Sequence, residues 1–470
     1  MLPDDVLLEI FHFYVDEDMD DFESLGKQIT EGWITLAHVC RRWRSVVFQS
    51  PLRLNLRLHC TPTTRARDTL DIWPPLPLII RNDHNINSVA PTSVGNIVTA
   101  LEHNNHVCQI ELINLLELGY VTDSAAMQVP FLALTDLRLS IDEDDRPELI
   151  LPDSFLGGTA PRLRSLHLDG ISFPGLPKLL LNLSTSHLVK LRLGDIPCSG
   201  YIPPEAMATS LSALTSLKSL CLHFQYPRPR PALESRRPPP PPLTRSILPN
   251  LTEIEFRGVS EYLEVILARI DSPQLHKLDI SFFNQIIFDT PQLSQFIGRR
   301  PTLRSPKKGH IIINTYAIIV RFPPQTSDLS ELSVRIRCTT PEWQLSFLEQ
   351  VCTSSLPSLS VMEDLYIVKN PYWRPHRQGN VENTQWLDLL RSFIAVKNLY
   401  LLEEFVPSIT LALQELVRGR TTEVLPILEN IFLEWLPPSG PLHDCIEKFV
   451  AARRLTSHPV KVSRWDGKMH

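Results

Sequence analysis

The sequence predicts an α/β chain: a small N-terminal helical module, then an irregular leucine-rich-repeat solenoid with parallel strands lining one face and helices on the other. Three observations predict it. Two short segments near the N-terminus carry apolar residues at helical spacing. A frame of the form apolar-x-x-apolar-x-apolar recurs down most of the chain. Helix-like segments separate successive frames.

The first helical segment follows Leu2-Pro3-Asp4-Asp5. Val6, Leu7, Ile10, Phe11 and Tyr14 recur at helical spacing, and the two acids suit the positive end of the helix dipole. Met1 abuts the segment and leaves no residue ahead of Leu2 to cap the helix. The second segment runs from Trp33 to Val47, with Leu36, Val39, Cys40, Trp43 and Val47 on one stripe. Between them the acidic run Asp16, Glu17, Asp18, Asp20, Asp21 and Glu23 has too few apolar residues to bury a core, and it reads as a solvated loop.

The frame appears at Val107/Ile110/Leu112, Leu134/Leu137/Leu139, Leu163/Leu166/Leu168, Leu188/Leu191/Leu193, Leu217/Leu220/Leu222 and Leu251/Ile254/Phe256. It continues at Leu275/Leu278/Ile280, Leu329/Leu332/Val334, Met362/Leu365/Ile367, Val396/Leu399/Leu401 and Leu428/Ile431/Leu433. The last two apolar positions alternate with one residue, so they point to one side of a short strand, and the first turns the chain inward. No such unit closes its apolar face alone, so neighbours must stack. The double-length gap between Leu275 and Leu329 has room for an unconventional unit built from Ile311-Ile312-Ile313 and Ala317-Ile318-Ile319-Val320. Glu261 to Ile270 exemplifies the intervening helices, ended by Asp271-Ser272-Pro273. The turn-laddering asparagine of regular repeats has a counterpart at Asn370, but Ile171, Ile196 and Val259 stand at the equivalent positions of other frames, which predicts irregular curvature.

At 470 residues the chain exceeds a typical globular domain. Its expected organisation is a helical module over 1–58, a linker and solenoid entry over 59–104, the solenoid over 105–440 and a C-terminal cap over 441–470. Cys445 to Arg453 reads as a closing helix and Val460-Lys461-Val462 as a last strand. An insertion over 226–243 contains five consecutive prolines and favours polyproline II. Arg236, Pro239 and Pro242 fit the spacing of an SH3 ligand, with a plain spliced-in loop as the alternative.

Composition excludes several function classes. A net charge of -6 gives no field favouring nucleic acid or an anionic membrane. The eight cysteines are scattered without a Cys-x-x-Cys, which implies neither a zinc site nor a disulfide framework. No secretory signal or membrane-length apolar run occurs, and the chain reads as intracellular, in cytoplasm or nucleus. There is no His-Glu-x-x-His, no nucleophile elbow and no phosphate-cradling glycine loop, so no enzyme and no cofactor is expected. His443-Asp444-Cys445 are adjacent along the chain, whereas catalytic Cys and His meet in space. Arg41, Arg42 and Arg44 read as a solvated helix face.

Leu-Pro opening a helix, followed by Leu36-x-x-Val39-Cys40-Arg41-x-Trp43-Arg44, resembles the F-box, and Ser50-Pro51-Leu52 with the residues after it, like the stretch from Leu211 to Leu303, is similar to F-box proteins of mushroom-forming fungi. The resemblance implies docking onto the Skp-type adaptor of a cullin ubiquitin ligase, with Leu2, Pro3, Val6, Leu7, Ile10, Leu36, Val39, Cys40 and Trp43 as adaptor contacts, some of which must instead hold the helices together. The repeats would then recruit a target protein. The alternative is a leucine-rich interaction scaffold with a vestigial F-box. Residues flanking the inward leucines face out of the sheet: Ser165 and His167, Lys190 and Arg192, Glu253 and Glu255, Lys277 and Asp279 in earlier frames. In the last three, Asp364, Tyr366, Asn398, Tyr400, Asn430 and Phe432 are the candidate target contacts, since Tyr366, Tyr400 and Phe432 align as an aromatic stripe. The alternative for those rings is burial beneath the C-terminal cap.

Overall fold

The computed structural model describes residues 2–17, 32–51, 54, 56–62, 65–72, 75–82, 91–115, 117–141, 148–182, 187–225, 245–283, 285, 288–304, 306–314, 316–324, 330–338, 341–369, 383–416, 422–434 and 439–467. Most of the acidic run, Leu52, the proline-rich insertion with Arg236, Pro239 and Pro242, and Asn370 lie outside them. The chain divides into two compact units, Met1–Ile202 and Pro203–His470.

The N-terminal unit opens with three helices, α1 (Asp4–Glu17), α2 (Gly32–Val39) and α3 (Arg41–Gln49), each packed on the other two. Parallel strands follow in sequence order: Leu58–Cys60, Leu78–Arg81, Val107–Ile113, Asp136–Ser140, Ser165–Asp169 and Lys190–Ile196. The frames align in register, so that Ile110, Leu137, Leu166 and Leu191 form one buried row and Leu112, Leu139, Leu168 and Leu193 a second. The first frame position is buried too, at Val107, which opens its strand, and at Leu134, Leu163 and Leu188, each just ahead of theirs.

Two strands precede the first recognisable frame and already belong to this parallel ladder, in the region expected to hold the linker and the solenoid entry. They escape the pattern because Asn55 and Pro75 occupy its first position, while Leu58, Cys60, Leu78 and Ile80 supply the buried pairs. Ile171 and Ile196, where a laddering asparagine would stand, are buried apolar residues.

In the C-terminal unit the ladder runs Ser219–Phe224, Glu253–Gly258, Lys277–Phe282, Glu331–Arg337, Ala317–Phe322, Lys308–Ile313, Asp364–Lys369, Asn398–Leu401, Asn430–Leu433 and Lys461–Arg464. Every pairing is parallel except the two made by Ala317–Phe322. Here lies the double-length gap. After Phe282 the chain lays down Lys308–Ile313 three positions away and turns through Asn314 and Tyr316. It returns antiparallel along Ala317–Phe322, then places Glu331–Arg337 beside Lys277–Phe282. The isoleucine-rich runs thus form a reversed three-strand insertion whose outer strands keep the polarity of the ladder. Helices from Pro204–Ser212 to Pro441–Leu455 pack in series and cover the leucine side: Leu263, Ile266 and Leu267 of Ser260–Arg269 lie against Leu220, Leu222, Ile254 and Phe256. The opposite side carries polar residues that remain partly exposed, among them Glu253, Glu255, Asp279 and Arg335.

The closing helix Pro441–Leu455 is anchored by Arg453, whose side chain is fully buried and donates from Nη2 to the carbonyls of Leu425, Pro426 and Leu428 at 3.1–3.2 Å. A charge without solvent is tolerated only when its protons are received, and charge-assisted bonds are the strong ones. Arg453→Met keeps the apolar stem and strips three carbonyls of their donor; a loss of about 2–4 kcal/mol is expected. Urea unfolding of the full chain measures it.

Candidate interaction surfaces

In α1, Leu7, Leu8 and Phe11 turn inward, Phe11 completely. Trp33, Leu36 and Ala37 of α2 and Val46 and Val47 of α3 meet them. The Trp43 ring, half-buried, sits 4.8 Å from that of Phe11, and Trp33 closes the other end, its Nε1 donating to the carbonyl of Arg57 at 3.0 Å. Cys40 caps α3, its Sγ accepting from the Trp43 amide. The arginines do structural work: Arg44 donates to the carbonyl of Ala37 at 2.9 Å, near the end of α2, and Arg42 pairs with Asp4 at the start of α1 at 2.6 Å. An exposed pair of this kind is worth under about 1 kcal/mol, yet it fixes where α1 begins against α3.

This packing sorts the candidate adaptor contacts. Leu7, 4% exposed, and Leu36, 6% exposed, belong to the core of the module and are corrected to that role: both lie on the helix sides that meet. Cys40 is an exposed capping residue and Trp43 bridges core and surface. Leu2, Pro3, Val6, Ile10 and Val39 are exposed. Leu2, Val6 and Ile10 recur every four residues and continue into Tyr14, with Phe13 alongside at 72% exposure. The helical period therefore carries two apolar stripes on α1, one spent on the core and one uncovered. Phe13, three residues after Ile10 and seven after Val6, lies on the same uncovered face, and that spacing makes it legible from the sequence.

The aromatic stripe is not open. Tyr366, Tyr400 and Phe432 occupy one register position on three adjacent parallel strands. Their rings stack at centroid distances of 4.1 and 4.5 Å with planes within 6° and 9°, close to the spacing of neighbouring strands. Trp465, just past the last strand, shares their side of the sheet and stands edge-on to Tyr366 at 5.9 Å and to Tyr400 at 5.5 Å. Tyr366 is left 5% exposed, and Tyr400 and Phe432 are half-buried. An exposed contact stripe at Tyr366 is therefore corrected: the tail of the chain sits on it. Burial, with Tyr400 beside it, pushes the Tyr366 hydroxyl pKa up, so it stays protonated. One row back, Asn430 donates to Asn398 at 2.8 Å and Asn398 to Asp364 at 2.6 Å, an amide ladder along the same strands.

His310 packs edge-on against the Tyr366 ring at 5.0 Å. Burial first, then Arg321 and Lys308, lower its pKa to about 4. His59 is lowered to about 4 mainly by burial as well. Between the ordinary imidazole pKa of 6.5 and about 4 the unfolded chain holds protons that these folded histidines refuse. Stability is thus complete above that window and falls as pH drops through it. The unfolding midpoint should decline between about pH 7 and pH 5, and His310→Gln should flatten part of that decline.

Elsewhere, His443 faces Glu447 at 3.2 Å while Cys445, buried, donates to Gln414 at 2.9 Å, so the adjacent His443-Asp444-Cys445 residues engage separate partners. All eight cysteines are free, and burial pushes the Cys352 thiol pKa far up. Among the described residues no helix is long and apolar enough to cross a membrane.

The two stripes of α1 differ in what a substitution costs. Phe11→Ala should cost about 3–5 kcal/mol by opening a core cavity, and Ile10→Ala should stay within about 0.5 kcal/mol. Chemical denaturation of both variants checks the partition.

Residues 1–58 match the F-box-like family model, which covers the helical module and its outgoing tail. No curated relative matches the chain.

Proposed function

We propose that this chain is a non-catalytic, substrate-recruiting subunit of a Skp-cullin-F-box ubiquitin ligase. The observation that carries the reading is the uncovered apolar stripe Leu2, Val6, Ile10, Phe13 and Tyr14 on a module whose core is already closed. Exposed apolar stripes of this kind mark interaction sites, and the F-box-like match supports a Skp-type adaptor as the occupant. Pro3, Val39 and Cys40 are further adaptor-facing candidates, with Trp43 bracing the surface from beneath.

The parallel ladder is, on this reading, an irregular leucine-rich-repeat solenoid. Support comes from apolar frames that pair in register strand after strand, with helices on the leucine side. Its opposite side would hold the target, with Asp364, Asn398 and Asn430, and the accessible parts of Tyr400 and Phe432, among the contacts. The chain would break no bond. It would keep a target beside the ubiquitin-charged enzyme and so raise its effective concentration, in cytoplasm or nucleus.

The test is association of the purified chain with a Skp-type adaptor. Val6→Asp combined with Ile10→Asp changes only exposed positions. It should weaken binding by about thirtyfold or more, as loss of a central apolar contact does, and leave the unfolding midpoint in place. If wild-type chain fails to bind the adaptor, the ligase reading falls and a scaffold with a vestigial F-box takes its place.

A further inference from the structure

The strand pair Ser219–Phe224 and Glu253–Gly258 brings together three groups that the proposed function does not use. Cys221 and Glu255 are direct register partners, and His223, two residues on, points to the same side, opposite Leu220 and Leu222. One ligand atom from each of Cys221, His223 and Glu255 lies within 4.8 Å of the other two. His223 Nε2 is 3.0 Å from a Glu255 carboxylate oxygen. Cys221 is 4% exposed, the His223 side chain 15% and the Glu255 side chain 44%. The set is thus rooted in the sheet and reachable from solvent at its outer edge.

We propose that Cys221, His223 and Glu255 bind a zinc ion, with one coordination position left to water or to a donor from another molecule. The donor chemistry selects the metal. A thiolate disfavours magnesium and calcium, and sulfur, imidazole and carboxylate together suit zinc. Zinc bonds of 2.0–2.3 Å place tetrahedral ligands about 3.3–3.8 Å apart, so side-chain rotation closes the observed spread with the backbone in place. Thiolate and carboxylate balance the charge of the ion.

The structure also supplies rigidity. The strands are held from behind by Leu263, Ile266 and Leu267, and ligands on paired strands are positioned more firmly than ligands on loops.

Full-length chain, stripped with a chelator and dialysed against zinc, should retain one ion per chain by elemental analysis. Replacing zinc with cobalt should give visible ligand-field bands and a near-ultraviolet thiolate-to-cobalt charge-transfer band. Cys221→Ser and His223→Ala should abolish the charge-transfer band or the stoichiometric binding respectively. Each should weaken affinity by more than the roughly tenfold to hundredfold that loss of an outer-shell partner costs. Glu255→Gln, at the most exposed ligand, leaves the fold intact by its unfolding midpoint and should also weaken zinc binding, so the test survives if a buried variant fails to fold. Absence of the charge-transfer band in wild type, or zinc binding unchanged in Cys221→Ser or Glu255→Gln, overturns the site.

Discussion

The structure depends on keeping one side of a parallel ladder in register beneath its helices. Most strands contribute two apolar residues to rows that run from strand to strand, and a third at or just ahead of the strand start. Burying one leucine gains about 1.5–3 kcal/mol, while ordering each residue's backbone costs about 1–2 kcal/mol. A six-residue unit burying three such residues sits near break-even alone. Stability therefore resides in the stack, and register is its controlling variable: a slip of one residue would turn every leucine of a strand to the solvent side. The reversed insertion respects the same constraint, since Leu332 and Val334 still meet Leu278 and Ile280.

Register also decides what happens on the other side of the sheet. Residues between the leucines are aligned as strictly as the leucines, whatever their chemistry. Aligned aromatics stack at the interstrand spacing, as Tyr366, Tyr400 and Phe432 do, and aligned amides form the chain from Asn430 to Asp364. The same rule seats Trp465 on the rings, because it follows Lys461 and Ser463 at a spacing of two. The amide ladder arises from side chains within the strands, at positions other than the turn asparagine of regular repeats.

What was legible in the sequence follows from this division. The leucine frame shows itself because burial demands the same residue class at the same spacing, and it identifies most strands of the ladder. Strands whose frame begins with Asn55 or Pro75 are invisible to it, although their inward pairs are ordinary. The order of the strands across the isoleucine-rich insertion is not encoded in spacing either, because antiparallel return and parallel crossover bury the same residues. At the helical module, period alone placed Leu7 and Val6 together; only packing separates them, Leu7 buried in the module while Val6 stays exposed. The cover over Tyr366 rests on one tryptophan outside any frame. Cys221, His223 and Glu255 are missed by spacing signatures because those assume ligands close along one chain segment, whereas a parallel ladder joins residues from different units.

The polar side of the sheet is not a uniform charged surface, and this limits how it can recognise anything. In the N-terminal unit Glu111 receives both Arg81, at 3.1 Å, and Arg138, at 3.3 Å. In the C-terminal unit Arg321 pairs with Glu331 at 2.7 Å. Such pairs cancel locally, and a net charge of -6 spread over the chain adds little long-range steering at physiological salt. Affinity on this side must come from short-range features that a partner can complete: a ring edge, an amide with a spare lone pair, or a ligand set with an open position. Each is a property of a few aligned strands. A ladder with many strands can therefore vary such features one at a time, since exchanging residues between the leucines alters one of them without disturbing the core that supports the rest.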